Sequence, residues 1–255
     1  MLPLRDENPK PVGYRPYVTY SIIAINVLVF FWEIAVTHQV WEFTNRQAEN
    51  MLLSYGTIPS NVVNGLANHN YGVFSSIFSS MFLHAGIMHI GGNMLFLWIF
   101  GDNIEYKFGR GKFLALYLFW GVVADFFHIM SDPSSQLPAL GASGAISGVL
   151  GAYLILFPNA KVVTLMFLGF FTRLIRISAK WYLPFWFIFQ NVLPAFIGSA
   201  GSGVAFFAHI GGFLIGLLAI CLQKNTQFRV HLWYKVWLER RWYQVGNLNL
   251  NNSDV

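Results

Sequence analysis

The stretch Pro138–Gly151, PALGASGAISGVLG, decides the fold class. With its continuation to Phe157 it forms an apolar, glycine-studded run close to the ~20 residues needed to cross the hydrocarbon core of a bilayer. Ser143 stands near one end of that run, between Ala142 and Gly144. A hydroxyl flanked by residues with almost no side chain is placed for chemistry rather than for packing.

The rest of the chain has the same character. Of its 255 residues, 55% are hydrophobic and 11% charged, whereas soluble domains carry about a quarter charged residues. This excludes an ordinary soluble domain and points to a polytopic membrane protein. Apolar runs at about 17–37, 83–104, 112–130, 140–157, 181–199 and 203–223 predict six spans in one all-α membrane bundle. We divide the chain into a short N-terminal segment (1–16), a six-helix membrane domain (17–223) and a tail (224–255). Met1–Arg15 is polar and no small-residue cleavage site follows the first apolar run, so that run is expected to remain as a helix. The single Cys221 excludes an intrachain disulfide.

Charge sets the expected orientation. Fifteen of the sixteen Lys and Arg fall before span one, between spans two and three, between four and five, or after six; only Arg46 lies on the other side. The positive-inside rule then makes both termini cytoplasmic. The first outer loop, about 38–82, mixes Trp41, Phe43, Met51, Leu52 and Tyr55 with polar residues, which suits an element lying in the membrane interface. Val162–Ile175 is apolar but interrupted by Arg173 and Arg176, and is expected to dip into the membrane without crossing. The tail segment Leu232–Gln244 mixes basic and aromatic residues and reads as a helix on the anionic leaflet; interface anchoring accounts for its aromatics more simply than nucleic acid does. No internal repeat is evident, which disfavours an inverted-repeat transporter.

Polar side chains inside spans are expensive and are candidates for function. Span two, entering from outside, carries His84, His89 and Asn93; the last two are four apart and share a helix face. Ser143 lies roughly 6 Å into span four and His209 roughly 9 Å into span six, at about 1.5 Å rise per residue. The orientation therefore brings these groups to similar depths. A serine hydroxyl becomes a useful nucleophile when a neutral imidazole within hydrogen-bond reach takes its proton. Ser143 and His209 form such a pair if spans four and six touch, and the seams Gly144-x-x-x-Gly148 and Gly212-x-x-x-Gly216 permit close contact. His89, Asn93 and the Ser143 backbone N–H are candidate donors to an oxyanion.

Each residue alone has a plainer explanation. The glycines could serve helix packing only, Ser143 a helix contact, Asn93 an interhelical hydrogen bond, His84 the interface and His209 a satisfied bundle position. Co-location with complementary roles favours the site. Asp125 and His128 could form a second polar site, although local pairing of Asp125 is the simpler expectation. His84 and His89 are five apart and expected to diverge around a helix, and there is no HExxH pair, so neither a metal nor another cofactor is expected.

These residues carry a resemblance. Gly141-Ala142-Ser143-Gly144 matches the GxSG motif of rhomboid intramembrane serine proteases, His89-Ile90-Gly91-Gly92-Asn93 matches their HxxxN element with His84 upstream, and Ala208-His209-Ile210-Gly211-Gly212 matches AHxxG. The chain thus resembles the rhomboid family across nearly all six spans. The resemblance implies a Ser143/His209 catalytic dyad, oxyanion stabilisation by His89 and Asn93, and supporting roles for Gly141, Gly144, His84 and Gly212. It further implies endopeptidase cleavage of single-span or polytopic membrane proteins near their outer ends. Span five, with Pro184 and Pro194, corresponds to the helix beside which substrates are admitted, and Glu105, Gly109 and Gly111 resemble the family's turn after span two. The sequence departs from many relatives at Ser75-Ser76, where they carry Trp-Arg, and from some at Ser147, where an aromatic residue stands. A noncatalytic rhomboid-like protein that binds membrane helices is the alternative. The absence of appended soluble domains suits a prokaryotic plasma membrane.

Overall fold

The computed structural model describes residues 1–9, 13–168, 171–197 and 205–223. It comprises two compact units, Met1–Leu217 and Leu218–Val255. Every side chain of the site described below belongs to the first. Of the second, residues 218–223 are described and are helical; the expected basic, aromatic tail lies outside the described residues.

The protein is mostly helical. Among the described residues three helices are each long and apolar enough to cross a membrane: α1 (Tyr17–Thr37), α7 (Arg110–Ser131) and α11 (Phe206–Gln223). Two other stretches remain helical through a π-helical turn. In the first, α5 (Ile87–Phe96) continues through Leu97–Gly101 into α6 (Asp102–Phe108); in the second, α9 (Ala179–Phe187) continues through Ile188–Val192 into α10 (Leu193–Ile197). The glycine-rich run becomes α8 (Ser143–Leu156), in which every residue from Gly144 to Tyr153 is buried. Large apolar side chains such as Leu28, Phe31, Trp98 and Met130 remain exposed, a surface suited to lipid rather than water.

Glu105 explains how α1 begins. The helix has no side-chain cap of its own, and the Glu105 carboxylate supplies one from α6, accepting from the Thr19 N–H at 2.7 Å, the Val18 N–H at 3.1 Å and the Thr19 hydroxyl at 2.8 Å. A buried anion at a helix N-terminus satisfies amides that lack intrahelical partners and complements the helix dipole. Burial first, and then the charges of Glu105 and Asp102, push the nearby Tyr14 phenol up to about 12.

The first loop folds into short helices: α2 (Arg46–Tyr55), capped by Asn45 through the Ala48 N–H at 2.8 Å, α3 (Pro59–Ala67), a 3₁₀ turn at Tyr71–Phe74 and α4 (Ser75–Ser80). Phe43, Ala48 and Met51 pack with Phe30 of α1 and Ile90 of α5, while Val62 and Ile77 pack with Ile129 of α7. Asp125 corrects an expectation here. It does not pair locally: its Oδ2 accepts from Thr57 Oγ1 at 2.8 Å and Ser80 Oγ at 3.1 Å. Loop hydroxyls that have no signature in the sequence thereby fasten α4 and the α2–α3 turn to α7.

The all-α expectation also needs correction. The chain contains a three-stranded antiparallel sheet in the order β1 (Leu2–Asp6), β2 (Lys161–Leu168), β3 (Phe171–Ser178). β2 and β3 pair from Lys161↔Ser178 to Leu168↔Phe171, and β1 adds to the other edge of β2, with a register shift between Pro3 and Arg5. The stretch expected to dip into the membrane is rich in β-branched residues, which favour a pleated surface, and the cross-strand partner for its edge comes from the far end of the sequence. Tyr153 on α8 donates to Asp6 at 2.7 Å, Asn8 to Asn103 at 2.8 Å, and Arg176 to Glu7 at 2.9 Å. β1 is thus tied to the helices as well as to the sheet.

Candidate active site

Ser143 is the first residue of α8, and the geometry before it is set by Gly141, whose φ of 115° is one that side-chain-bearing residues rarely adopt. A Cβ on Gly141 would also lie 2.9 Å from His89 Nε2 and 3.5 Å from Ser143 Oγ. Gly141 therefore both turns the chain and leaves open the space in which these two groups face each other. The Ser143 N–H stands at the positive end of α8, where backbone donors lack partners within the helix.

His209 reaches Ser143 from α11. Its Nε2 is 2.6 Å from Ser143 Oγ, across 66 residues of sequence. The approach depends on the predicted glycine seams: Gly212 packs on the Gly144 carbonyl and Gly216 on the Gly148 carbonyl, with no space for a methyl group at either. On its opposite side α8 is met by α7, where Trp120 lies against Gly148 and the Ala124 Cβ would be 2.7 Å from a Cβ on Gly144.

His89 and Asn93 come from α5. The His89 Nδ1 accepts from the Ala85 N–H at 3.2 Å, so in the neutral ring Nε2 carries the proton and points it toward Gly141 and Ser143. Asn93 is buried, and among the described residues its Nδ2 has no hydrogen-bond partner. His89 and Asn93 both line a cavity that Ser143 also lines. His84 also belongs to this neighbourhood, contrary to the expected divergence of the two imidazoles. Because α5 starts only at Ile87, His84 precedes the helix, and its ring meets that of His89 edge-on at 5.1 Å. The backbone N–H of His84 donates to Glu33 of α1 at 2.8 Å.

Two cavities meet at these residues. One of about 250 Å³ is lined by His89, Asn93, Phe96, Ser147, Trp186 and His209 along with Ser143. The other, of about 850 Å³, is lined by Trp41, Glu42, Thr44, Leu140 and Ala205, and it too reaches Ser143, His89 and His209. Phe96 of α5 and Trp186 of α9 touch at the edge of the first cavity, with ring centroids 5.5 Å apart. Among the described residues no cluster of His, Cys, Asp or Glu is arranged to hold a metal ion. The chemistry this arrangement offers is proton transfer from a hydroxyl to an imidazole beside a set of N–H donors.

One polar residue of the site was missed by sequence reading. Asn191, in the π-helical turn after α9, is buried, and its Oδ1 lies 2.7 Å from His209 Nδ1. An asparagine inside an apolar span was the available signal.

The Rhomboid domain family matches residues 71–225, more than half of the chain. The chain belongs to the rhomboid family. This rhomboid is similar to "Rhomboid protein 1, mitochondrial" of Saccharomyces cerevisiae, with 32% identity over 155 residues, covering 59% of this chain and 39% of the yeast protein. It is similar to the human "Presenilin-associated rhomboid-like protein, mitochondrial", with 29% identity over 230 residues, covering 85% and 52% of the two chains. It is also similar to "Rhomboid protease GluP" of Bacillus subtilis, with 29% identity over 205 residues, covering 80% and 34%. The matched regions amount to about half or less of each relative's length. The mitochondrial relatives overturn the expectation of a prokaryotic plasma membrane for this rhomboid.

Proposed function

We propose that this rhomboid is an intramembrane serine endopeptidase of a mitochondrial membrane, cutting membrane-spanning segments of other proteins with Ser143 as nucleophile and His209 as general base. The observation that carries the proposal is the 2.6 Å contact between Ser143 Oγ and His209 Nε2. In this reading the six apolar helical stretches each span the bilayer, both termini lie on the side opposite the site, and residues 1–16, 17–223 and 224–255 form the leading segment, membrane domain and tail. The pairing of β1 with β2 supports this, since it holds the N-terminus beside the α8–α9 connection.

The reaction follows from the geometry. His209 Nε2 takes the proton as Ser143 Oγ attacks the peptide carbonyl carbon, and the carbonyl oxygen becomes an oxyanion received by His89 Nε2–H, Asn93 Nδ2–H and the Ser143 N–H. The protonated His209 then gives its proton to the departing amine as the C–N bond breaks, leaving an acyl ester on Ser143. Water, deprotonated by His209, hydrolyses that ester and restores the hydroxyl.

The test is cleavage of a panel of single-span reporter proteins by purified protein in liposomes, alongside Ser143→Ala and His209→Ala. Cleavage by the native chain and its loss in both variants is expected. Unchanged cleavage by Ser143→Ala, or absence of both cleavage and Ser143-dependent fluorophosphonate labelling in folded native protein, overturns the proposal in favour of a helix-binding role.

A further inference from the structure

We propose that Asn191 is a positioning residue for the general base, fixing the tautomer and ring orientation of His209. This rests on the reading of Ser143 and His209 as a dyad. To accept the serine proton, His209 must have Nε2 unprotonated and Nδ1 protonated, and the ring must keep Nε2 aimed at Oγ. The second nitrogen needs an acceptor to enforce both conditions. Asn191 Oδ1 supplies it: Nδ1–H donates to Oδ1 at 2.7 Å while Nε2 faces Ser143 Oγ at 2.6 Å. Were the opposite tautomer present, Nδ1 would have no proton to donate and Nε2–H would point at the hydroxyl oxygen, leaving no base.

Three further observations indicate that Asn191 is held for this contact. It is the buried residue of the π-helical turn Ile188–Val192, and a π turn re-aims a side chain relative to a regular helix, a device often found at functional sites. Its Nδ2 is buried and, among the described residues, has no hydrogen-bond partner. Among the described residues only the acceptor end of the carboxamide is engaged, and it is engaged by His209. Finally, Phe187, the last residue of α9, stacks on Phe213 of α11 with ring centroids 4.1 Å apart, a second contact between the two helical stretches that carry Asn191 and His209. The arrangement is a nucleophile, a base and a third group that orients the base.

The experiment compares native protein, Asn191→Leu, Asn191→Asp and Ser143→Ala in liposomes, measuring kcat and KM on a cleaved reporter, the rate of fluorophosphonate labelling, and thermal unfolding. Asn191→Leu is similar in size and apolar but has no acceptor; Asn191→Asp keeps one. For Asn191→Leu we expect kcat and labelling rate to fall between about 10-fold and the roughly 10⁴-fold loss that follows when a catalytic histidine adopts the wrong tautomer, with KM changed less than about threefold. Asn191→Asp should recover at least about 10-fold of that loss. The positioning role is overturned if Asn191→Leu stays within about twofold of native in kcat and labelling, if its loss lies in KM, or if Asn191→Asp is no better than Asn191→Leu. Activity surviving in Ser143→Ala would instead refute the dyad itself, so the two failures are told apart.

Discussion

A Cβ on Gly212 would lie 2.1 Å from the carbonyl oxygen of Gly144. Because the contact is with backbone, no rotamer change can make room for a larger residue. Gly212→Val is expected to push α11 from α8, separate His209 from Ser143 and abolish cleavage, while costing at least the ~1–3 kcal/mol typical of overpacking. Reporter cleavage with thermal unfolding checks this. A fully active, equally stable variant would show that the seam is not needed to build the site.

His89→Ala and Asn93→Ala each remove a side-chain donor from the region beside Ser143. Losing one such donor typically costs about 10²–10³-fold in kcat. We expect losses of that order with smaller effects on KM, measured by steady-state cleavage in liposomes. Effects confined to KM would assign these residues to substrate binding instead.

Asp125 holds two loop hydroxyls. Asp125→Ala removes the contacts that tie Thr57 and Ser80 to α7, while the Ser76 and Ile77 carbonyls remain as local acceptors, so the expected cost is that of two lost hydrogen bonds, about 1–3 kcal/mol in all. Unfolding should occur at lower temperature, with greater protease sensitivity in residues 57–80, whereas Asp125→Asn should be milder because an amide oxygen remains to accept. Ser143 labelling should persist in the Asp125→Asn variant, since the site itself is untouched.

Phe96 and Trp186 meet across α5 and α9. Phe96→Ala and Trp186→Ala should loosen that contact and alter cleavage of membrane-spanning reporters more than labelling by a small fluorophosphonate. Equal changes in both readouts would mean that the aromatic contact shapes the dyad rather than access to it.

The helical character of the chain was legible because lipid imposes long apolar runs, and the candidate site because the residues brought together in it are polar exceptions within them. Ser143, His209, His89 and Asn93 lie in glycine-marked motifs whose spacing survives folding. Asn191 was harder to see: it sits in a stretch of aromatic and aliphatic residues, without a motif, and its orientation depends on a π turn that helical periodicity does not reveal. Asp125 escaped for a different reason, since its partners Thr57 and Ser80 are ordinary loop residues 68 and 45 positions away. The sheet was missed because the apolar run of β2 and β3 was read as a dip into the membrane, and because β1 pairs with β2 at long range and leaves no local signal. The Arg residues of β3, read as interruptions of an apolar dip, instead stand on an exposed strand, where Arg176 meets Glu7.

The pairing of β1 with β2 also sets an order of assembly. Leu2 finds its partner only at Leu165, so β1, although synthesised earlier, must wait until α1 through α8 and the following strand have emerged. Closing so large a loop carries an entropic cost before any contact offsets it. β1 is therefore a late-fitting latch on the helices that precede β2 in the chain.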